Sequence, residues 1–289
     1  MEKLFLGRAS LVGDTIMFLP VLTFFKKLIP NSYIIFPIAR KCSQAAMLYI
    51  QQKDIDKIHI LEEWESLGSN DRKLMLDCKH VTNPFPQHPS CPGLIVGIDN
   101  FWYNYFDCVT ETARMAGIHQ DDFNRILSIE EQNPRLSQWF EVKKEPKSIL
   151  IHARAGYNNE QTRNPSTKYW LELVPKIKKM GYKVYHAGVE SEEDIGATRI
   201  TQLSLFEQIK VALSCDLVIG NDSGFNWTIG AFGHPMISLI TNHAPQHENN
   251  LFAFAPKNCK NNNINLFAKG GCDNISQDLV LESIKQLCS

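Results

Sequence analysis

Short apolar runs alternate along this chain with longer segments whose apolar positions recur every three or four residues, the marks of strand and helix. Runs at 4–6, 33–38, 57–61, 74–77 and 94–98 read as a first series of strands. Helices are expected between them over 15–28, over 42–52, and from the aromatic segment 101–106 to Met115, where Gly117 stops the last one. A second series has strands at 148–152, 183–187, 198–201, 217–219 and 236–240, with helices at 169–180, 204–214, 225–232 and 275–287. The first helix places Ile16, Leu19, Leu22 and Phe25 on one face and ends in Lys26 and Lys27, charges that suit a helix C-terminus. Pro20 inside it predicts a kink or a delayed start. Ser204 and Glu207 have the spacing of a capping box. Stretch 80–93, rich in Pro, and stretch 242–265, rich in Asn, read as loops. Residues 128–147 are polar, with Pro134 and Pro146, and read as the inter-domain stretch with a short helix around 136–140.

Two such series predict an α/β protein of two doubly wound domains, 1–145 and 146–289, the closing helix being free to pack back on the first. Ligands of such sheets bind at the carboxyl ends of the strands, so the chemistry is expected in a cleft between the domains. The densest signal lies at 216–239, DLVIGNDSGFNWTIGAFGHPMISL, which reads as strand, polar turn, helix, turn and strand. Gly220 and Gly224 let a backbone approach a ligand, and the helix start offers unpaired N–H groups and the positive end of the dipole. Asp222 stands where a carboxylate caps that helix or holds a sugar hydroxyl. Read alone, the segment is equally a plain βα turn with a capping Asp.

Composition narrows the classes. At 289 residues, 44% hydrophobic, 21% charged and a formal net charge of −1, the chain lacks the basic excess of a protein that grips nucleic acid. No apolar run approaches the ~20 residues of a membrane span. The first residues do not resemble a signal peptide, so the expected location is cytoplasmic. Eight cysteines (42, 78, 91, 108, 215, 259, 272 and 288) include no Cys-x-x-Cys pair; free thiols are preferred to disulfides, and no zinc signature is present.

Three stretches together resemble a known family. Gly13-Asp14-Thr15 with Pro20-Val21-Leu22 and Pro30 is similar to the first loop and helix of the heptosyltransferases, glycosyltransferase family 9. Residues 165–174 with Gly181-Tyr182-Lys183-Val184 and Gly188-Val189-Glu190 resemble the first βαβ of its donor domain. Residues 203–239, through Gly-Asn-Asp-Ser-Gly and Gly-His-Pro-Met-Ile-Ser-Leu, resemble its signature block. The resemblance covers roughly 1–30 and 148–245; residues 31–147 match only as α/β pattern. It implies the GT-B fold, two Rossmann-like domains facing across a cleft, the first binding an acceptor and the second a nucleotide-sugar.

The implied reaction is an inverting transfer, in which an acceptor hydroxyl attacks the anomeric carbon opposite the leaving diphosphate and gives its proton to a base. Asp14 occupies the family's base position, although a carboxylate there also caps a helix starting at Thr15. With no Asp-x-Asp motif, neither a metal nor a cofactor is expected. The diphosphate is then left to the N–H groups of Ser223, Gly224 and Phe225, and to a cation, Arg154 or Arg163, with Lys168 a weaker option. Glu190 falls where the family has an acidic residue near the donor's ribose or base, and reads alternatively as an exposed loop carboxylate beside Glu192, Glu193 and Asp194.

The chain also departs from the family. Trp227 replaces the usual His three residues after the signature Gly, Asn164 replaces the Trp before the signature Pro, and Thr241 or its neighbour replaces a Gly. Asn242 and His243 are candidates to compensate by contacting phosphate. A Trp stacks or packs but takes no proton, so donor identity stays open. The expected partners are a nucleotide-sugar, an ADP-sugar by resemblance, and a glycan or lipid-linked glycan acceptor. A lipid-linked acceptor would bring peripheral membrane contact. Phe101, Trp102, Tyr103 and Tyr105 read as a sugar-stacking wall or as core. The alternatives are a non-catalytic binding protein that keeps the fold, which Trp227 favours, and a nucleotide-sugar 2-epimerase.

Overall fold

The computed structural model describes residues 1–7, 11–63, 67–82, 113, 116–156, 163–241 and 255–289. The strand expected at 94–98, the aromatic residues Phe101, Trp102, Tyr103 and Tyr105, and Asn242 and His243 lie outside them. The chain forms two compact units, Met1–Trp139 and Phe140–Ser289.

In the first unit four parallel strands, β1 (Lys3–Phe5), β2 (Tyr33–Ile38), β3 (Lys57–Ile60) and β4 (His80–Val81), lie in the order β3-β2-β1-β4. Leu4, Phe5, Ile34, Phe36 and Ile38 are buried, as a parallel sheet covered on both faces requires. Helix α1 (Val12–Met17) and helix α2 (Leu19–Leu28) are separated at Phe18. Pro20 sits in the first turn of α2, where its missing N–H costs no hydrogen bond. The helix expected over 42–52 is a 3₁₀ helix over Arg40–Tyr49.

Three expectations fail in this unit. Residues 74–77 belong to helix α3 (Ser69–Leu76), not to a strand. Buried Asp71 accepts the N–H groups of Gly68 (2.8 Å) and Glu62 (3.0 Å) and pairs with His59 at 2.6 Å, and this network starts a helix that a short Leu-Met-Leu run cannot announce. Residues 80–81, expected in a loop, pair with β1 as β4. Helix α4 (Gln120–Ile126) completes the described elements. The short helix expected around 136–140 is absent. Ser137 there exchanges backbone hydrogen bonds with the Gln52 amide (2.8 and 3.1 Å), and Trp139 Nε1 donates to the Met47 carbonyl.

The second unit is a six-stranded parallel sheet: β5 (Ser148–His152), β6 (Lys183–Ala187), β7 (Thr198–Arg199), β8 (Leu217–Asn221), β9 (Met236–Thr241) and β10 (Asn263–Ala268). Its order is β10-β9-β8-β5-β6-β7, so the chain winds outward from β5 one way and then from β8 the other. β10 corrects the loop expected to Asn265. Its Asn-Ile-Asn-Leu alternation sends Ile264 and Leu266 onto the core while the asparagines mask the strand pattern. Helix α5 (Thr167–Lys179) is capped by Ser166, and helix α6 (Leu205–Ser214) has the Ser204–Glu207 capping box. Helix α7 (Gly224–Ala231) follows β8. Helix α8 (Gln277–Leu287) buries Val280 and Ile284 in this same core beside β9 and β10.

Residues 140–145 also belong to the second unit, ahead of the boundary composition suggested. Phe140 meets the rings of Phe206 and Phe232 edge-on at 4.9 and 5.8 Å. Lys144 Nζ and the Glu145 N–H both donate to the carbonyl end of α6.

Candidate functional site

The winding of the second sheet reverses between β5 and β8, and at such a reversal the loops after two adjacent strands diverge and leave a crevice. β5 ends there in His152 and β8 in Asn221, and the turn 221–224 leads into α7. His152 stands beside Gly220 on one side and Ala187 on the other, so small residues flank its ring. Gly220 has a second reason to be glycine. A Cβ on it would stand 2.4 Å from Oδ1 of Asn226, a fully buried side chain whose Nδ2 donates to Ser238 Oγ.

Ser223 is the N-cap of α7 in extended conformation, its Oγ accepting the Asn226 N–H at 3.2 Å. The N–H groups of Ser223, Gly224 and Phe225 find no acceptor among the described residues. Three free amides at the positive end of a helix dipole make an anion site. Phe225 is buried and stacks on the His152 ring with centroids 4.5 Å apart and planes 4° from parallel. His152 Nδ1 lies 3.4 Å from Ser223 Oγ. Burial pushes the His152 imidazole down to about 4, so the ring is neutral near pH 7.

Asp222 is braced from two sides. Its Oδ1 accepts the Trp227 indole N–H at 3.1 Å, and its Oδ2 accepts Arg163 Nη2 at 3.0 Å. The same guanidinium donates through Nε and Nη2 to the Asp222 carbonyl at 3.0 and 2.7 Å. Arg163 thus sits at the turn as a fork on Asp222. Behind it the Cys272 thiol donates to the Arg163 carbonyl at 3.1 Å. Asn164 joins the turn to the loop after β5: its Oδ1 accepts from the Ala155 N–H (2.7 Å) and from Asn221 Nδ2 (2.5 Å).

The turn therefore brings Arg163, Asp222, Ser223, Gly224 and Phe225 together. Arg154 is half-buried and Glu190 exposed, and neither side chain bonds to a described residue; the Glu190 carbonyl accepts from Arg199. Lys168 is exposed on α5. The buried acid of the loop after β6 is Glu192 instead. Burial raises its carboxyl, but hydrogen bonds from His186 Nε2 (3.1 Å) and the Val189 N–H (3.0 Å) outweigh that and hold it below the ordinary range. Sequence reasoning passed over His152 and Glu192. The end-of-strand rule identifies the first, while nothing in a run of Glu and Asp singles out the second.

In the first unit the sheet reverses between β1 and β4, where the Gly7 N–H donates to Thr82 Oγ1 at 2.8 Å. Asp14 lies on α1, the helix that follows β1. That helix begins at Val12, so Asp14 is inside its first turn, half-buried, and its Oδ2 accepts the Leu11 N–H at 3.1 Å. The neighbouring Thr15 hydroxyl is 2.5 Å from the buried Tyr49 hydroxyl. Among the described residues no helix is long and apolar enough to cross a membrane.

No protein-family model and no curated protein matches the sequence. Among solved structures the chain is similar to the E. coli ADP-heptose lps heptosyltransferase II, with a TM-score of 0.70 at 14% identity over 100% of this chain and 98% of that one. It is equally similar to a glycosyl transferase of family 9 from Veillonella parvula, TM-score 0.70 at 14% identity over 99% and 97%. With the E. coli heptosyltransferase WaaC with ADP the TM-score is 0.55 at 12% identity over 99% and 100%. At these identities the likeness is one of fold: two parallel α/β units of the GT-B kind, as the motif resemblance implied.

Proposed function

We propose that this chain, which has the fold of the family 9 glycosyltransferases, is itself a glycosyltransferase that moves a sugar from a nucleoside diphosphate donor to an acceptor hydroxyl with inversion. One observation carries the reading: the N–H groups of Ser223, Gly224 and Phe225, unpaired among the described residues, at the N-terminus of α7 and the winding reversal of the second sheet. They suit a pyrophosphate, and Arg163 adds a cation at the same turn. Fixed dipoles of this kind compensate the charge that grows on a departing diphosphate. Asp14 is assigned the base that takes the acceptor proton. The donor expected first is ADP-heptose, and the acceptor a glycan or lipopolysaccharide-like hydroxyl; both follow from the motif resemblance. A protein acting on a lipid-linked acceptor would work at the cytoplasmic face of a membrane.

Thermal unfolding with ADP, UDP and GDP is the first test. A ligand at 100 times its Kd stabilises the fold by about 2.7 kcal/mol. One diphosphate should raise the midpoint, and Asp14→Asn should keep that rise while losing transfer from the matching nucleotide-sugar. No shift with any of the three overturns the donor reading. A second reading, a nucleotide-binding protein without turnover, is favoured by the Asp222 carboxylate being taken up by Trp227 and Arg163 rather than left for a sugar. Binding without transfer across donor and acceptor panels would select it.

A further inference from the structure

The turn after β8 contains one donor whose direction the backbone leaves open, the hydroxyl of Ser223. A serine hydroxyl has one proton and two lone pairs. One lone pair receives the Asn226 N–H at 3.2 Å, and His152 Nδ1 stands 3.4 Å away on another side. With a proton on Nδ1 the ring occupies the second lone pair, and the O–H is left to point outward. With the proton on Nε2 instead, Nδ1 draws the hydroxyl proton inward, and the turn shows an anion a lone pair that repels it.

We propose that His152 is the positioning residue that turns the Ser223 hydroxyl outward, so that a bound diphosphate meets one O–H beside the free N–H groups of the turn. The inference rests on the donor reading above and goes further by naming the group that sets the polarity of Ser223. The ring is built into place for this. It lies flat on Phe225 at 4.5 Å, and its neighbours on the flanking strands are Gly220 and Ala187, which leave room for its width. Arg163, in the loop between β5 and α5, is engaged with Asp222, and among the described residues the Ser223 hydroxyl is the side-chain donor that belongs to the cap itself. Anion binding and the Nδ1–H tautomer therefore favour each other by mass action.

The test is calorimetric titration of ADP, UDP and GDP, and of their nucleosides, into the full-length protein and its variants. His152→Phe keeps a ring on Phe225 and loses Nδ1. His152→Asn places an amide nitrogen near where Nδ1 stands. The Phe variant should bind the preferred diphosphate about tenfold more weakly, ~1.4 kcal/mol, with nucleoside binding unchanged, and the Asn variant should recover most of the loss. Adding His152→Phe to Ser223→Ala should cost nothing more, because the ring acts through that hydroxyl. In the unmutated protein, the nitrogen-15 spectrum of His152 should move to the Nδ1–H form as diphosphate is added, a readout that stands even if a variant fails to fold. The inference is overturned by a Phe variant that binds diphosphate like the parent, by a loss shared equally with the nucleoside, by additivity with Ser223→Ala, or by a tautomer that does not respond. In each of those cases the donor reading survives. Failure of the parent to bind any of the three diphosphates removes both.

Discussion

Trp227 stands where the family has His, and its indole N–H is what holds Asp222 Oδ1. Trp227→Phe keeps most of the buried ring and leaves that oxygen without its donor, a loss worth about 1 to 3 kcal/mol. Urea unfolding should show that drop, and diphosphate affinity should fall with it as Arg163 loses its fixed partner. A second residue-scale effect depends on pH. Burial, with Lys144 and Lys260 nearby, pushes His234 down to about 3, and its Nε2 has no partner among the described residues. The unfolded chain takes up that proton near pH 6.5 and the fold does not, so stability is lost as pH falls from about 6.5 toward 3. His234→Asn should flatten the change in urea midpoint between pH 7 and pH 4.5; an unchanged slope would remove His234 as its source. At this scale the sequence was legible where a motif marks the backbone, as at Ser223 and Gly224. It marked Asp222 as a cap or a sugar ligand but did not show that Arg163 and Trp227, from different stretches of the chain, hold it while Ser223 caps the helix.

Among the elements, the turn between β8 and α7 is the one whose sequence is most tightly dictated by its neighbours. Gly220→Ala would push a methyl to 2.4 Å from the Asn226 amide, which can move only by giving up Ser238 or the N-cap of α7. The expected cost is on the order of 1–3 kcal/mol, read as a lower urea midpoint, together with weaker diphosphate binding than a matched Ala substitution on the exposed face of α5. Elements with long periodic stretches were legible: α5, α6, α8 and strands β5 to β9 of the second sheet fall within a few residues of where periodicity puts them. Those defined by distant partners were not. α3 is started by Asp71 reaching Glu62, and β4 exists because β1 lies beside it. The Arg40–Tyr49 helix shows apolar spacing that does not distinguish 3₁₀ from α.

For the whole molecule, the division at Trp139 and Phe140 follows from which partners each side chain has. Trp139 bonds to Met47 in the first unit, whereas Phe140 packs on Phe206 and Phe232 in the second. The second unit carries its own six-stranded sheet and a continuous core from Ile149 to Ile284. Residues 140–289 expressed alone should fold cooperatively and bind the same diphosphate as the full chain. A fragment that folds without binding would show that the first unit supplies part of the affinity. Starting the fragment at 146 should weaken it, since Lys144 and Glu145 close the end of α6.

The buried sulfur behind Arg163 has a practical use. Burial, with Asp273 and Asp222 near, raises the Cys272 thiol to about 12, and burial likewise raises Cys215 to about 11. Neither sulfur forms thiolate at neutral pH while the fold is closed. A maleimide or iodoacetamide reagent should therefore modify Cys272 only as fast as the second unit opens, which makes its alkylation rate a clock for that opening. Saturating nucleotide should slow the clock by the factor by which it stabilises the closed form.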